Sequence, residues 1–199
     1  MFTPVSTTVN EGEPELFRTA VESLSRVEAR PEISVGPIRP PQRLAPYSHA
    51  LGVEVLHPEG DDVPEFSDGD AFGRLILLHD PSGDDAWRGT LRLVAYVQAD
   101  VEAALASDPF LPQVAWSWLT EALEEDAGPL TALGGTVTCT SSVRYGDIAG
   151  PPQAHQLELR ASWTALDPDL TGHAQAFCRV LAEAAGLPPV GVTSLHRRA

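Results

Sequence analysis

The chain predicts an α+β two-layer sandwich: an antiparallel sheet of about five to six strands with about three helices packed on one face. Three observations carry that expectation. Apolar residues recur at helical spacing in three separate stretches, which gives three amphipathic helices. They alternate at a period of two in several others, which gives half-buried strands. The order, helix, three or four strands, helix, two strands, helix, keeps strands together instead of interleaving them with helices, so a doubly wound dinucleotide fold is excluded, and no glycine fingerprint supports one.

Each element follows in turn. Pro14 sits where a first helical turn accepts proline, and Leu16, Phe17, Ala20, Val21, Leu24 and Val27 recur behind it until Arg30-Pro31 stops the helix. Ile33 to Ile38 reads as a short edge strand that tolerates Pro37. Residues 39–46 hold three prolines and form an extended, polyproline-like segment. Leu51, Val53 and Val55 make a half-buried strand, and His57 to Ala71 is an acidic loop expected to be mobile. Phe72 to His79 and Thr90 to Gln98 pair as a hairpin around the turn chemistry of residues 80–85.

Pro112 opens a second helix carrying Val114, Ala115, Trp118, Leu119, Ala122 and Leu123, which Gly128-Pro129 ends. From Gly134, Val137, Cys139, Ser141, Val143 and Tyr145 form one face of a strand, and Thr136, Thr138, Thr140, Ser142 and Arg144 the other. After a turn over residues 146–153, Leu157, Leu159, Ala161 and Trp163 alternate strictly with polar residues. A last helix from about Asp167 turns Leu170, His173, Ala174, Phe177, Cys178, Leu181 and Ala185 inward and ends at Gly186. Residues 1–12 read as a flexible leader, 13–186 as a single domain and 187–199 as a tail.

Composition bounds the chemistry. All 13 basic residues are arginine, and no lysine occurs. Lysine Schiff bases, lysine general bases and the phosphate-gripping lysine of a Walker loop are therefore excluded. A net charge of −15 argues against nucleic acid as a partner and disfavours anionic membranes. No apolar run is long enough to span a bilayer. The start of the chain lacks the basic and apolar segments of a signal peptide, so a cytoplasmic protein is expected, with Cys139 and Cys178 as small buried hydrophobes.

No catalytic set assembles from motifs. The six histidines have no zinc spacing, no Gly-x-Ser-x-Gly elbow occurs, and no cofactor or metal is expected. Two features point to recognition. The rigid stretch from Arg39 to Tyr47 presents Arg39, Arg43 and Tyr47, residue types that anchor interfaces. Trp116 and Trp118 diverge by about 200° around one helix, so one of them should reach a second surface. The leading expectation is a non-enzymatic adaptor or chaperone-like protein with an unknown protein partner and a possible homodimer. The alternative is a small-molecule binder or enzyme in which Arg74, Arg92, Arg144 and Arg160, all expected on strands, line a pocket for a carboxylate or phosphate.

Several strings agree, in order, with one family: Pro-Pro-Gln-Arg-Leu-Ala-Pro at 40–46, Gly-Arg-Leu-Ile-Leu-Leu-His-Asp-Pro at 73–81, Val-Ala-Trp-Ser-Trp-Leu at 114–119 and Leu-Glu-Leu-Arg-Ala-Ser-Trp at 157–163. Together they resemble an actinobacterial family, domain-of-unknown-function family three thousand, over most of residues 15–190. The resemblance implies no activity and carries over no functional residue. The order of elements is also similar to that of secretion-chaperone-like proteins, which hold extended client segments, a likeness of fold order alone.

Overall fold

The computed structural model describes residues 12–55, 71–148 and 153–189. Its one sheet contains β1 (Ile33–Pro37), β2 (Tyr47–Val55), β3 (Ala71–Asp84), β4 (Gly89–Asp100), β5 (Leu130–Ser142) and β6 (Ala154–Ala165). The strands lie in the order β1-β2-β3-β4-β6-β5, and every neighbouring pair is antiparallel. The helices are α1 (Glu15–Leu24), the single turn α2 (Ala103–Ala106), α3 (Leu111–Asp126) and α4 (Thr171–Ala184). The expected α+β sandwich is present, with α2 as an addition that four residues are too few to announce by periodicity.

Alternation decides which face is covered. Register aligns Leu75, Ala95 and Ala161 in one row and Leu77, Leu93 and Trp163 in the next, and all six are buried. Phe177 of α4 rests on Gly73, and Trp116 of α3 rests on Gly135, so these helices share that face. Gly135 is fixed by close approach: a Cβ there would stand 2.7 Å from the Trp116 ring and 2.3 Å from the Arg160 carbonyl oxygen. Gly172 is fixed in the same way, because a Cβ would lie 1.9 Å from the Asp126 carbonyl oxygen where α4 begins against the end of α3. Arg179 ties the same two helices at the surface through Glu125 and Asp126.

The boundaries differ from expectation where side-chain pattern is a poor guide. β3 and β4 run past the predicted turn to Asp84 and Gly89, across a register shift after His79. The turn is closed by the Asp84 carboxylate, which accepts from the Ala86 and Trp87 amides. β5 begins at Leu130, ahead of a bulge at Thr131–Gly134, where Ala132 takes a positive φ of 52°. Arg92 holds that bulge by donating to the Ala132 carbonyl at 2.9 Å. Residues 1–11 of the expected leader, 57–70 of the acidic loop and 190–199 of the tail lie outside the described residues. The tail's start is docked: Leu187 N–H closes the α4 terminus on Ala182, and Arg30 donates to the Pro188 carbonyl at 2.8 Å.

The cysteine expectation is corrected in part. Cys178 is buried as expected, but Cys139 is exposed. Its side chain points to the helix-covered side of the sheet, yet α3 covers only the first part of β5.

Among the described residues two histidines, His79 and His173, are buried in the core, and His49 is half-buried beside it. His173 is fully buried and accepts the Trp163 indole N–H at Nδ1, 3.1 Å away. Burial pushes its pKa down to about 4, and burial also lowers that of His49. Both bind a proton more readily in the unfolded chain, so each contributes stability above pH ~6.5 that is lost as pH falls toward the folded value. Thermal melts from pH 7 to pH 5 should therefore show stability falling by at most about 1.4 kcal/mol per pH unit for each histidine. A His49→Gln/His173→Gln variant should flatten that interval, and an unchanged slope would assign the acid sensitivity elsewhere.

Candidate functional site

A groove of about 700 Å³ lies between α1 and the β1–β2 margin of the sheet. Its sheet side is made by Val35, His49 and Leu51, and its helix side by Val21 and Leu24. Alternation puts Val35 of β1 and His49 and Leu51 of β2 on the helix-facing side of the sheet, since Val35 pairs with Val53 and Leu51 with Leu75. Glu13, Glu15 and Glu22 also line the groove, against one arginine, Arg18. The floor is thus apolar and the mouth acidic. His49 is held in its neutral form by burial, so it offers one donor and one acceptor without charge.

What keeps α1 over this groove is a pair of attachments at its two ends. At its C-terminal end the buried Ser23 hydroxyl accepts the Leu170 amide at 2.8 Å, and its own proton serves the Ala20 carbonyl at 2.7 Å. Thr171 returns a bond to the Ser23 carbonyl at 3.0 Å, so α1 is clamped to the start of α4. At the other end Phe17 packs against Tyr47 and His79, with ring centroids 5.7 and 5.9 Å away. The His79 Nδ1 faces the Thr90 carbonyl oxygen at 2.9 Å and therefore carries the ring proton. Its Nε2, like that of His173, is buried without a hydrogen-bond partner.

The sequence-selected residues separate into three places. Tyr47 is on the helix-facing side, part of the aromatic trio that props α1. Arg39 and Arg43 are exposed on the segment joining β1 to β2, and Arg43 takes a positive φ of 67°. Trp116 and Trp118 are half-buried against the core, with Trp116 on β5. β2 and β5 are four strand spacings apart, roughly 19 Å, so the tryptophans and the Arg/Tyr segment do not form one surface.

The strand arginines do not converge either. Arg92 is spent on the Ala132 carbonyl, Thr164 Oγ1 at 3.1 Å and Ser162 Oγ at 2.6 Å. Arg160 pairs with Glu158 at 2.8 Å and lies over the Tyr96 ring, 5.4 Å from its centroid. The Tyr96 hydroxyl donates within the same group, to Gln98 or Glu158; burial and then the Glu158 carboxylate push its pKa up. Arg144 lies beyond the end of β5 rather than on a strand, and eight residues separate it from Thr136, the partner of Arg160, roughly 26 Å of extended chain. Arg74 instead meets Arg39 at a depression of about 360 Å³ lined also by Glu54 and Phe72.

Along residues 13–193 the chain matches the model of a family described as a protein of unknown function, DUF3000. The chain belongs to that family. No curated protein and no solved structure matches it. For this DUF3000 chain, geometry is therefore the guide to chemistry. Among the described residues no three His, Cys, Asp or Glu side chains gather as metal ligands, and no helix is long and apolar enough to cross a membrane. Burial pushes both thiols up, Cys178 to about 12, which opposes thiolate nucleophiles.

Sequence reasoning missed the groove because its walls come from α1, β1 and β2 without a shared motif. A signal was present in His49, two residues before Leu51 and so on the same strand face. Ser23 was likewise legible only as a polar residue three positions after Ala20 on an otherwise apolar face. Ser23→Ala should lower stability by about 1–3 kcal/mol, because it strands the buried Leu170 amide. Ser25→Ala, at an exposed site, should stay within about 0.5 kcal/mol. Equal denaturation midpoints for the two variants would mean that the Ser23 clamp does not hold α1.

Proposed function

We propose that this protein is a non-enzymatic protein-interaction domain that holds an extended segment of a partner protein in the groove between α1 and the β1–β2 margin. The observation that carries the reading is the combination of an apolar floor, Val35 and Leu51, with glutamates outnumbering arginine three to one around it. Such a groove selects an apolar segment flanked by basic residues, because apolar side chains are removed from water while cations meet the acidic mouth. α1 is held by the Ser23 clamp, the Phe17 stack and the buried Ala20 and Leu24, and its half-buried Val21 is left on the groove side to meet the segment's side chains.

A labelled decapeptide of alternating leucine and lysine tests this against one of leucine and glutamate. The Leu-Lys peptide should bind and the Leu-Glu peptide should not. Val35→Glu should weaken Leu-Lys binding at least tenfold by putting a charge on the floor. A merely electrostatic association with an acidic protein would instead tighten on adding that glutamate, and this result would overturn the reading.

A second reading has one observation in its favour, the meeting of Arg39 and Arg74 at the smaller depression on the opposite face of the sheet. Two guanidinium groups suit a carboxylate or phosphate ligand. Glu54 lines the same depression and competes for them, which favours the groove.

A further inference from the structure

The end of α4 delivers the chain to one end of the groove under α1. Gly186 takes a positive φ of 64°, and the Leu187 amide donates to the Ala182 carbonyl at 2.9 Å, a helix stop that sets the direction of departure. Arg30 then holds the Pro188 carbonyl, and the proline that follows restricts Pro188 to extended backbone. Ile33 lines the depression that contains these two prolines. Val35, two residues along β1 on the same side of the sheet, is already the floor of the groove, roughly 7 Å further on. Val27, three residues before Arg30, lines the same groove.

The sequence beyond that point has the chemistry the groove selects. Residues 190–198 read Val-Gly-Val-Thr-Ser-Leu-His-Arg-Arg, and no Asp or Glu occurs after Glu183. Apolar residues come first and the two arginines last. The groove is ordered in the same way, counted from the end where Pro189 stands. α1 runs opposite to β1, because Phe17 near its start packs on Tyr47, beyond the Pro37 end of β1. Leu24 and Val27 therefore stand at the Ile33 end, and Glu13 and Glu15 at the far end. Among the described residues no ion pair holds Glu13, Glu15 or Glu22. The ten residues of α1 extend about 15 Å, and residues 190–197 span up to roughly 26 Å when extended, so the arginines reach both far glutamates.

We infer that residues 190–198 of the same chain occupy the groove, with Val190, Val192 and Leu195 over Val35 and Leu51 and with Arg197 and Arg198 at Glu13 and Glu15. This self-occupancy rests on the proposed role of the groove and adds its regulation: the chain carries its own competitor, and a partner segment enters by displacing it. Tethering raises the effective concentration of the segment at the site, so modest contacts suffice to keep the groove closed.

Two readouts on the full chain test it. A nitroxide on Ser194→Cys, in a Cys139→Ser background, should broaden the methyl resonances of Val21, Val35 and Leu51 far more than those of Val137, on the strand at the opposite edge. The buried Cys178 should take no label. Adding Val192→Ser/Leu195→Ser or Arg197→Gln/Arg198→Gln should abolish the broadening. In the unlabelled chain Val192→Ser/Leu195→Ser, which changes no charge, should tighten binding of the Leu-Lys peptide about tenfold. Absence of broadening at the groove, or broadening that survives both pairs of substitutions, would overturn the inference. So would broadening of isotope-labelled chains by separate spin-labelled ones, which would put the segment in a second copy. Equal peptide binding by the native and Val192→Ser/Leu195→Ser chains would overturn the self-occupancy and leave the partner reading of the groove intact. Groove broadening without peptide binding by either chain would support the self-contact and overturn the partner reading instead.

Discussion

Four helices, one of them a single turn, cannot cover a sheet whose strands are this long. A strand of 12 to 14 residues spans about 40–46 Å, whereas a helix of 14 to 16 residues spans about 21–24 Å. The helical layer therefore has to be placed where burial matters most, over β3, β4 and β6. There the paired rows of Leu75, Leu77, Leu93, Leu159 and Trp163 lose almost all contact with water. α2 and the start of α3 extend the cover, and Val101 and Leu111 are buried with them. Cover stops short of the outer half of β5 and thins over β1 and β2. Both margins take their character from that shortfall.

The margins meet it in different ways. Over β1 and β2 the chain uses α1, whose ten residues are too few to be stable alone and which depends on its docking. The Ser23 clamp satisfies a buried amide of the α4 entry and fixes one end. The Phe17–Tyr47–His79 stack fixes the other, and between them a groove remains. At β5 no element is added, and the sequence replaces apolar residues with threonine and serine, side chains that satisfy a strand's geometry while tolerating water. Close contacts inside the layer depend on missing side chains: Gly172 lets α4 start against the end of α3, and Gly135 lets Trp116 cross β5.

Much of the architecture was legible because period-two and helical patterns are direct consequences of which side of an element is dry. Leu157, Leu159, Ala161 and Trp163 fall on the buried face as their alternation requires, and His173 and Cys178 turn inward on α4. Cys139 shows the limit of such reasoning. Alternation assigns it correctly to the helix-facing side, but whether a helix reaches that far is a question of three-dimensional length that no local pattern contains. The same limit governs the site. Arg92 sits on a strand with the other arginines, yet the bulge at Ala132 claims it. Tyr47 stands next to the rigid proline segment, yet its ring belongs to the stack under α1.

The dry core is centred on β3, β4, β6 and α4, and α1 joins it at one margin through Phe17, Ala20 and Leu24 while covering the groove. Hydrogen–deuterium exchange of the full chain, read by peptide mass, tests it most directly. Amides of β3, β4, β6 and α4 should exchange slowest, through global unfolding. Those of α1 should exchange at least a hundredfold faster and as one group, through local release from the sheet. Exchange of α1 as slow as that of α4 would contradict the account, because the helix would then open only when the whole core unfolds.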